Sequence, residues 1–255
     1  MSKLPKADQF LDLSDYGRSI AMTIAKIFKN TAVTPIHLTI AFFISGIIAL
    51  ICILEHEYVA SFFFLITKSI LDAADGELAR IKNTPSYVGR YFDSIADFVL
   101  NFMLIFTIGH LEEIHWIYML SAFIGLELQG TLYNYYYVIL RNKYKGDTTS
   151  RIFEITAPVA MKGEKQTWVN FFFNTYLLLY GVFDKIVYWL DPKAPYSEKW
   201  PKWFMTAIST FGLGFQLLVI GLFLVLGWIR FIIPFFIGYS VLIFVFILVR
   251  KAINR

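Results

Sequence analysis

Charge is the first thing this sequence lacks. Only 16% of its 255 residues are Asp, Glu, Lys or Arg, against about 25% in an average soluble domain. That is too little to cover a water-soluble globule of this length. Cysteine is scarcer still. Cys52 stands alone, which excludes an intrachain disulfide framework and a cysteine-rich metal site. A strong excess of one charge sign is also missing: the formal net charge of +4 is too small to suggest nucleic acid as a partner. The first twenty residues hold three Asp and no apolar core, so no cleavable leader is expected. What the chain has in abundance is apolar and aromatic side chains, 57% and 18% of the total, with 26 Phe. Lipid is the expected solvent.

A helix needs about 20 apolar residues to cross the hydrocarbon, because its backbone polar groups must all be paired internally there. Six segments are read as crossings: Ile36 to Leu54, Val59 to Leu71, Phe98 to Leu111, Trp116 to Leu140, Trp203 to Ile229 and Phe231 to Val249. The second and third are short because each runs into an acidic stretch at one end. With this layout every Lys and Arg except Lys68 and Arg230 falls on one side, and the turns on the other side, Glu55-His56-Glu57 and His110 to His115, are acidic. The positive-inside rule then makes both termini cytoplasmic.

Trp168 to Leu190 is also apolar, but a seventh crossing would carry Lys193, Lys199, Lys202 and the Arg250-Lys251 end outside. An interfacial helix at about 168–190 is expected instead. Near the N-terminus, Ser14 reads as a helix cap, and Ile20, Ile24, Ile27 and Phe28 share one face, as in an amphipathic helix on the cytoplasmic surface. The expected fold is an all-α integral membrane protein, one domain over residues 1–255. It comprises a cytoplasmic segment (1–34), four spans (35–140), a cytoplasmic basic loop with the interfacial helix (141–202), and two last spans with a basic C-terminus (203–255).

Into this apolar background the chain sets Asp72, Asp75, Asp93 and Asp97. Asp72 and Asp75 are three apart at the cytoplasmic end of the second span. Asp93 and Asp97 are four apart at the matching end of the third, so each pair shares a helix face. A turn with Asn83, Pro85 and Gly89 folds the two helices together, and the four carboxylates converge. Like charges this close need protons or cations. Hard oxygen ligands without nearby His or Cys call for Mg²⁺ or Mn²⁺, and paired metals commonly handle phosphate esters. Gly76, Ala79 and Gly89 leave room for a large anion near the backbone, and Arg80 supplies a planar cationic fork.

The run from Asp72 to Asp97 matches D-x2-D-G-x2-A-R-x8-G-x3-D-x3-D without a gap. In this the chain resembles the CDP-alcohol phosphotransferases, also called the CDP-alcohol phosphatidyltransferase family. Thr34-Pro35-Ile36-His37-Leu38-Thr39 is similar to the Thr-Pro-Asn-x-x-Thr segment of many members, with Ile36 where Asn is common. The resemblance implies that Asp72, Asp75, Asp93 and Asp97 hold two divalent cations, that Asp97 also acts as general base, and that Gly76, Ala79, Arg80 and Gly89 line the CDP moiety. It implies a metal-dependent in-line displacement that releases CMP, catalysed by a homodimer.

The favoured donor is CDP-diacylglycerol, with a polar alcohol, phosphorylated or not, as acceptor. Lys68, Arg141 and Arg151 are candidates to contact the acceptor's phosphate or headgroup. The alternative within the family is a CDP-choline or CDP-ethanolamine donor with diacylglycerol as acceptor. A cation transporter or channel is the alternative of another class, disfavoured because all four aspartates sit at one end of their helices, with no acidic row leading to the other face. The compact layout is bacterial-like and points to the inner membrane.

Several residues have plainer readings. Glu127 and Gln129 lie mid-span and suit an interhelical bond or a ligand contact, as does Asn101. Tyr133, Tyr135, Tyr136 and Tyr137 read as an interfacial aromatic belt, and His37 as a cap.

Overall fold

The computed structural model describes residues 4–5, 8–144 and 156–254. Among these every regular element is helical. In chain order they are α1 (Arg18–Phe28), α2 (Pro35–Leu54), α3 (Tyr58–Lys82), α4 (Tyr87–Leu111), α5 (Trp116–Lys143), α6 (Gln166–Leu190), α7 (Lys202–Ile208), α8 (Leu213–Val225), α9 (Ile232–Tyr239) and α10 (Leu242–Ile253), with short 3₁₀ turns between the later ones. By length and apolarity, α2, α4 and the stretch Ile229–Ile253 can cross a membrane. A fourth candidate is the pair Lys202–Phe211 and Leu213–Val225, bent by 55°. The sequence reading of six crossings also counts α3 and α5. These fall short in apolarity because they carry the polar residues of the site, α3 from Lys68 to Lys82 and α5 through Glu127, Gln129 and its tyrosines.

The helices begin and end where local chemistry dictates. Pro35 opens α2 at a position where its missing N–H costs nothing, and the Thr34 N–H donates to His37 Nδ1 at 2.9 Å, which confirms His37 as a cap. Asn83 ends α3 in the left-handed region at φ 54°, a role that Asn fills without strain. Ser86 then caps α4, its hydroxyl accepting from the Gly89 N–H at 2.8 Å. Both helices therefore extend well beyond the short apolar runs expected for them.

α2 packs on α3 and α4, α3 on α8, and α5 on α4 and α9. One core cluster centres on Phe42, Ile53, Ile105, Ile108, Ile220 and Ile232, and a second gathers Tyr136, Phe204, Phe211, Ile243 and Ile247. Two mid-bundle glutamines, Gln129 and Gln216, are satisfied across helices. Gln129 donates to Ser240 Oγ at 2.9 Å, and Gln216 donates to Gln129 Oε1 and to the Leu126 carbonyl, each at 3.2 Å.

α1 lies on α3, burying Ala21 and Ala25 against Ala74 and Leu78, while Ile20 and Ile27 face outward. Small residues make this approach possible: a Cβ on Gly17 would stand 2.6 Å from Ile70 Cγ1. Gly17 is also the actual N-cap of α1. Ser14, the expected cap, turns its hydroxyl to Asp12 Oδ1 at 2.7 Å instead.

The tyrosines of α5 are likewise not an exposed belt. Tyr133, Tyr135 and Tyr136 are buried, because α6, α7 and the N-terminal segment cover that end of α5.

Both ends of α6 are fastened to the end of the bundle that carries the aspartates. Before its first turn, Glu164 accepts from the Ser86 hydroxyl and the Val88 N–H at the start of α4, at 2.7 and 2.8 Å. After its last turn, Asp191 is fully buried and paired to Arg250 in the last turn of α10, with the Tyr136 hydroxyl donating to it at 2.6 Å. A helix that traversed the bundle would have its ends on opposite sides. This one runs across α4 and α5 instead.

Replacing Arg250 by Met leaves the Asp191 carboxylate buried and unpaired and should cost roughly 3–5 kcal/mol of stability. Adding Asp191→Leu should recover most of it. Thermal melting in detergent checks both, and an unchanged midpoint in the single variant would remove the pair as the anchor of α6.

Candidate active site

The facing turns of α3 and α4 bring three of the four aspartates together. Asp72, Asp75 and Asp93 each offer a carboxylate oxygen, and these oxygens lie within 4.8 Å of one another. Asp75 is buried, and one of its oxygens accepts from Thr39 Oγ1 of α2 at 2.7 Å. Asp93 Oδ1 is buried with no hydrogen-bond partner. Such an oxygen is costly to maintain unless something else binds it. Three carboxylates, one of them orphaned, form the hard-oxygen donor set that suits Mg²⁺ or Mn²⁺, so these residues fit a divalent metal.

Asp97 sits one turn beyond Asp93 and is engaged differently. It is hydrogen-bonded and ion-paired to Lys68, whose Nζ also lies 3.6 Å from Asp72 Oδ2 and 4.8 Å from the Phe42 ring centre. Lys68 is only 2% exposed. A buried ammonium between two carboxylates offsets part of their repulsion, so its local role is charge balance.

The residues expected around a nucleotide continue the same face. Gly76, Ala79 and Arg80 follow Asp72 at helical spacing on the last turns of α3, and Gly89 lies in the first turn of α4. The Arg80 guanidinium lies over Gly76, donates to Glu77 Oε1 at 2.7 Å, and keeps a buried Nε–H with no partner. Glu77 also receives Arg18 of α1 at 2.8 Å.

A cavity of about 340 Å³ is lined by Asp72 and Asp97 and extends toward α5, α6 and the N-terminal segment. Glu127 and Asn101 line it and are joined by a 2.9 Å hydrogen bond. Arg141 is buried, with its guanidinium 4.7 Å from the Tyr137 ring centre. Arg151 lies outside the described residues.

Three contributors are absent from the sequence reading. Thr39 carried a signal, as the last residue of the Thr-Pro segment. Glu77 is set three residues before Arg80. Glu164, remote in sequence from α4, gave none.

These features can now be set against known proteins. The CDP-alcohol phosphatidyltransferase family matches residues 32–191, which hold α2 through α6 and the whole aspartate site. The chain belongs to that family.

This CDP-alcohol phosphatidyltransferase family member is also 40% identical over 65 residues to the CDP-diacylglycerol–serine O-phosphatidyltransferase of Bacillus subtilis (strain 168). The matched stretch is 26% of this chain and covers 37% of that protein's length. No solved structure matches the chain. Family membership makes it a transferase of phosphate-containing groups, and its apolar helices mark it as a membrane protein.

Thr39 holds one oxygen of Asp75, a carboxylate that could bind a metal, and losing such a partner of a metal ligand ordinarily costs about 10–100-fold in metal affinity. Thr39→Val should therefore weaken Mn²⁺ binding at least about tenfold, read by electron paramagnetic resonance of free Mn²⁺. Unchanged affinity would place the metal away from Asp75.

Proposed function

We propose that the protein transfers a phosphatidyl group from CDP-diacylglycerol to the hydroxyl of a polar alcohol and releases CMP. The observation that carries this reading is the carboxylate cluster: Asp72, Asp75 and Asp93 within reach of one ion, and Asp97 one turn further on beside a cavity. The relative's printed name, a phosphatidyltransferase that uses CDP-diacylglycerol and serine, supports the donor.

When bound, two divalent cations, Mg²⁺ or Mn²⁺, supply charge stabilisation on the phosphate oxygens. Asp72, Asp75, Asp93 and Asp97 are the residues to hold them. Gly76, Ala79, Arg80 and Gly89 line the cytidine nucleotide, the unpartnered Arg80 Nε–H being a donor for its phosphate. Asp97 accepts the proton of the acceptor hydroxyl. The hydroxyl oxygen attacks the phosphorus that bears the lipid alcohol, a new P–O bond forms, the bond to the other phosphate breaks, and CMP leaves with the electron pair. Lys68, held between Asp97 and Asp72, keeps positive charge close to the reacting phosphate. Arg141 and Arg151 are further candidates to contact an acceptor phosphate.

The topology that suits this chemistry has six crossings, α3 and α5 included, with both termini and the site on the cytoplasmic face of a bacterial inner membrane. Its support is the one-sided distribution of Lys and Arg. A homodimer completes the reading.

The test is CMP release by purified protein in lipid micelles with Mg²⁺ or Mn²⁺. Removing metal with a chelator should abolish it. Asp97→Asn should slow turnover by about 10²–10⁴-fold, as for loss of a general base, while nucleotide binding persists. Turnover at the parent rate would exclude Asp97 as the base.

A further inference from the structure

The cavity beside Asp97 is walled by two stacked tyrosine pairs. On α5 the Tyr133 and Tyr137 rings lie 5.6 Å apart and 13° from parallel. On α6 the Tyr176 and Tyr180 rings lie 5.2 Å apart at 21°, and all four line the cavity. Between them the lining is acidic. Beyond the metal set it includes Asp12, Asp15, Glu127 and Asp184 against one cation, Arg18, which is already paired with Asp15 and Glu77.

Of the basic residues read from the sequence as acceptor contacts, the two described ones, Lys68 and Arg141, do not line this space. Lys68 is held by Asp97 and Asp72, and Arg141 packs on Tyr137. An alcohol phosphate would meet an excess of like charge there. A cation would find aromatic faces and carboxylates, the chemistry that recognises ammonium groups.

A second, independent feature points to a ligand. Thr131 of α5 lines the same cavity and is only 7% exposed, yet its hydroxyl has no hydrogen-bond partner. A helical Thr ordinarily returns its hydroxyl to a carbonyl one turn back. The volume of about 340 Å³ is at the small end of ligand pockets, which suits an alcohol of few atoms.

We propose that this cavity is the headgroup subsite for a small alcohol bearing a primary or quaternary ammonium group. The tyrosine rings surround the cation, Asp184 is its counter-charge, and the Thr131 hydroxyl is a polar contact. The inference rests on the phosphate-transfer reading above. The ammonium has two sources: a free amino alcohol accepting from CDP-diacylglycerol, or the headgroup of a CDP-linked amino alcohol that donates to a lipid hydroxyl.

The experiment measures CMP release by the full chain with Mg²⁺ and Mn²⁺ in parallel arms. CDP-diacylglycerol is offered with serine, ethanolamine or choline, with glycerol or inositol, and with glycerol 3-phosphate. CDP-ethanolamine and CDP-choline are offered with diacylglycerol. An ammonium-bearing arm should exceed the neutral and phosphorylated arms by about tenfold or more in kcat/KM, and the arm that responds identifies the source.

CMP released preferentially with glycerol, inositol or glycerol 3-phosphate would overturn the subsite and leave the phosphate-transfer reading standing. No CMP in any arm would overturn that reading and this proposal with it. Thr131→Val and Asp184→Asn should each raise KM for the ammonium substrate by roughly 5–20-fold with kcat kept within about twofold, and Asp184→Glu should restore most of the loss. Unchanged KM in both variants, with monodisperse elution in detergent, would also overturn the subsite.

Discussion

Three carboxylates with oxygens within 4.8 Å of one another repel by about 3 kcal/mol per pair at an effective dielectric of about 20, and the fold around them is organised to hold them together. The left-handed turn at Asn83 and the Ser86 cap fix the angle between α3 and α4. Glu164 clamps the start of α4 from outside. Thr39 holds one oxygen of Asp75, and Lys68 places its ammonium between Asp72 and Asp97. Asp93 keeps an oxygen with no partner at all. That partial compensation suits a cluster that could hold a divalent cation, since full neutralisation by the protein would leave a cation nothing to offset.

The same demand accounts for the helices that cover the site. α1 and α6 both pack on the helices of the site, α1 on α3 and α6 on α4 and α5. α1 brings Arg18 to Glu77, and the Gly17 approach to Ile70 makes this contact possible. α6 brings Tyr180, whose hydroxyl donates to the Ser94 carbonyl at 3.2 Å. Its far end is anchored by Asp191 and Arg250. Polar groups that lipid could not satisfy are thus satisfied by other parts of the chain.

How much of this was legible in the sequence follows from the range of each interaction. The four aspartates, their helical spacing and the small residues beside them are local, so their pattern could be read directly. A helix over residues 168–190 was also legible, from its apolar and aromatic run, and it lies within α6. Ser14 was misread because its hydroxyl found Asp12, two residues away, while close packing against Ile70 set Gly17 as the cap. The α5 tyrosines were misread because aromatic residues near a helix end look alike whether they face headgroups or a covering helix. Glu164 reaches α4 from 76 residues away in sequence, and no periodicity carries such a contact.

The residues around the aspartate cluster differ in kind, and the proposed reaction gives that difference a meaning. Gly76, Ala79 and Arg80 run away from Asp72 along the end of α3 and do not line the cavity, whereas Asp72 and Asp97 do. A displacement in line at phosphorus requires the entering oxygen and the leaving group on opposite sides of the transferred group. Glu77 joins the two regions, its Oε1 accepting both from Arg18, which lines the cavity, and from Arg80, which does not. In the proposed reaction Asp97 is the carboxylate that a hydroxyl held in the cavity can reach, and Arg80, outside the lining, is left for the nucleotide.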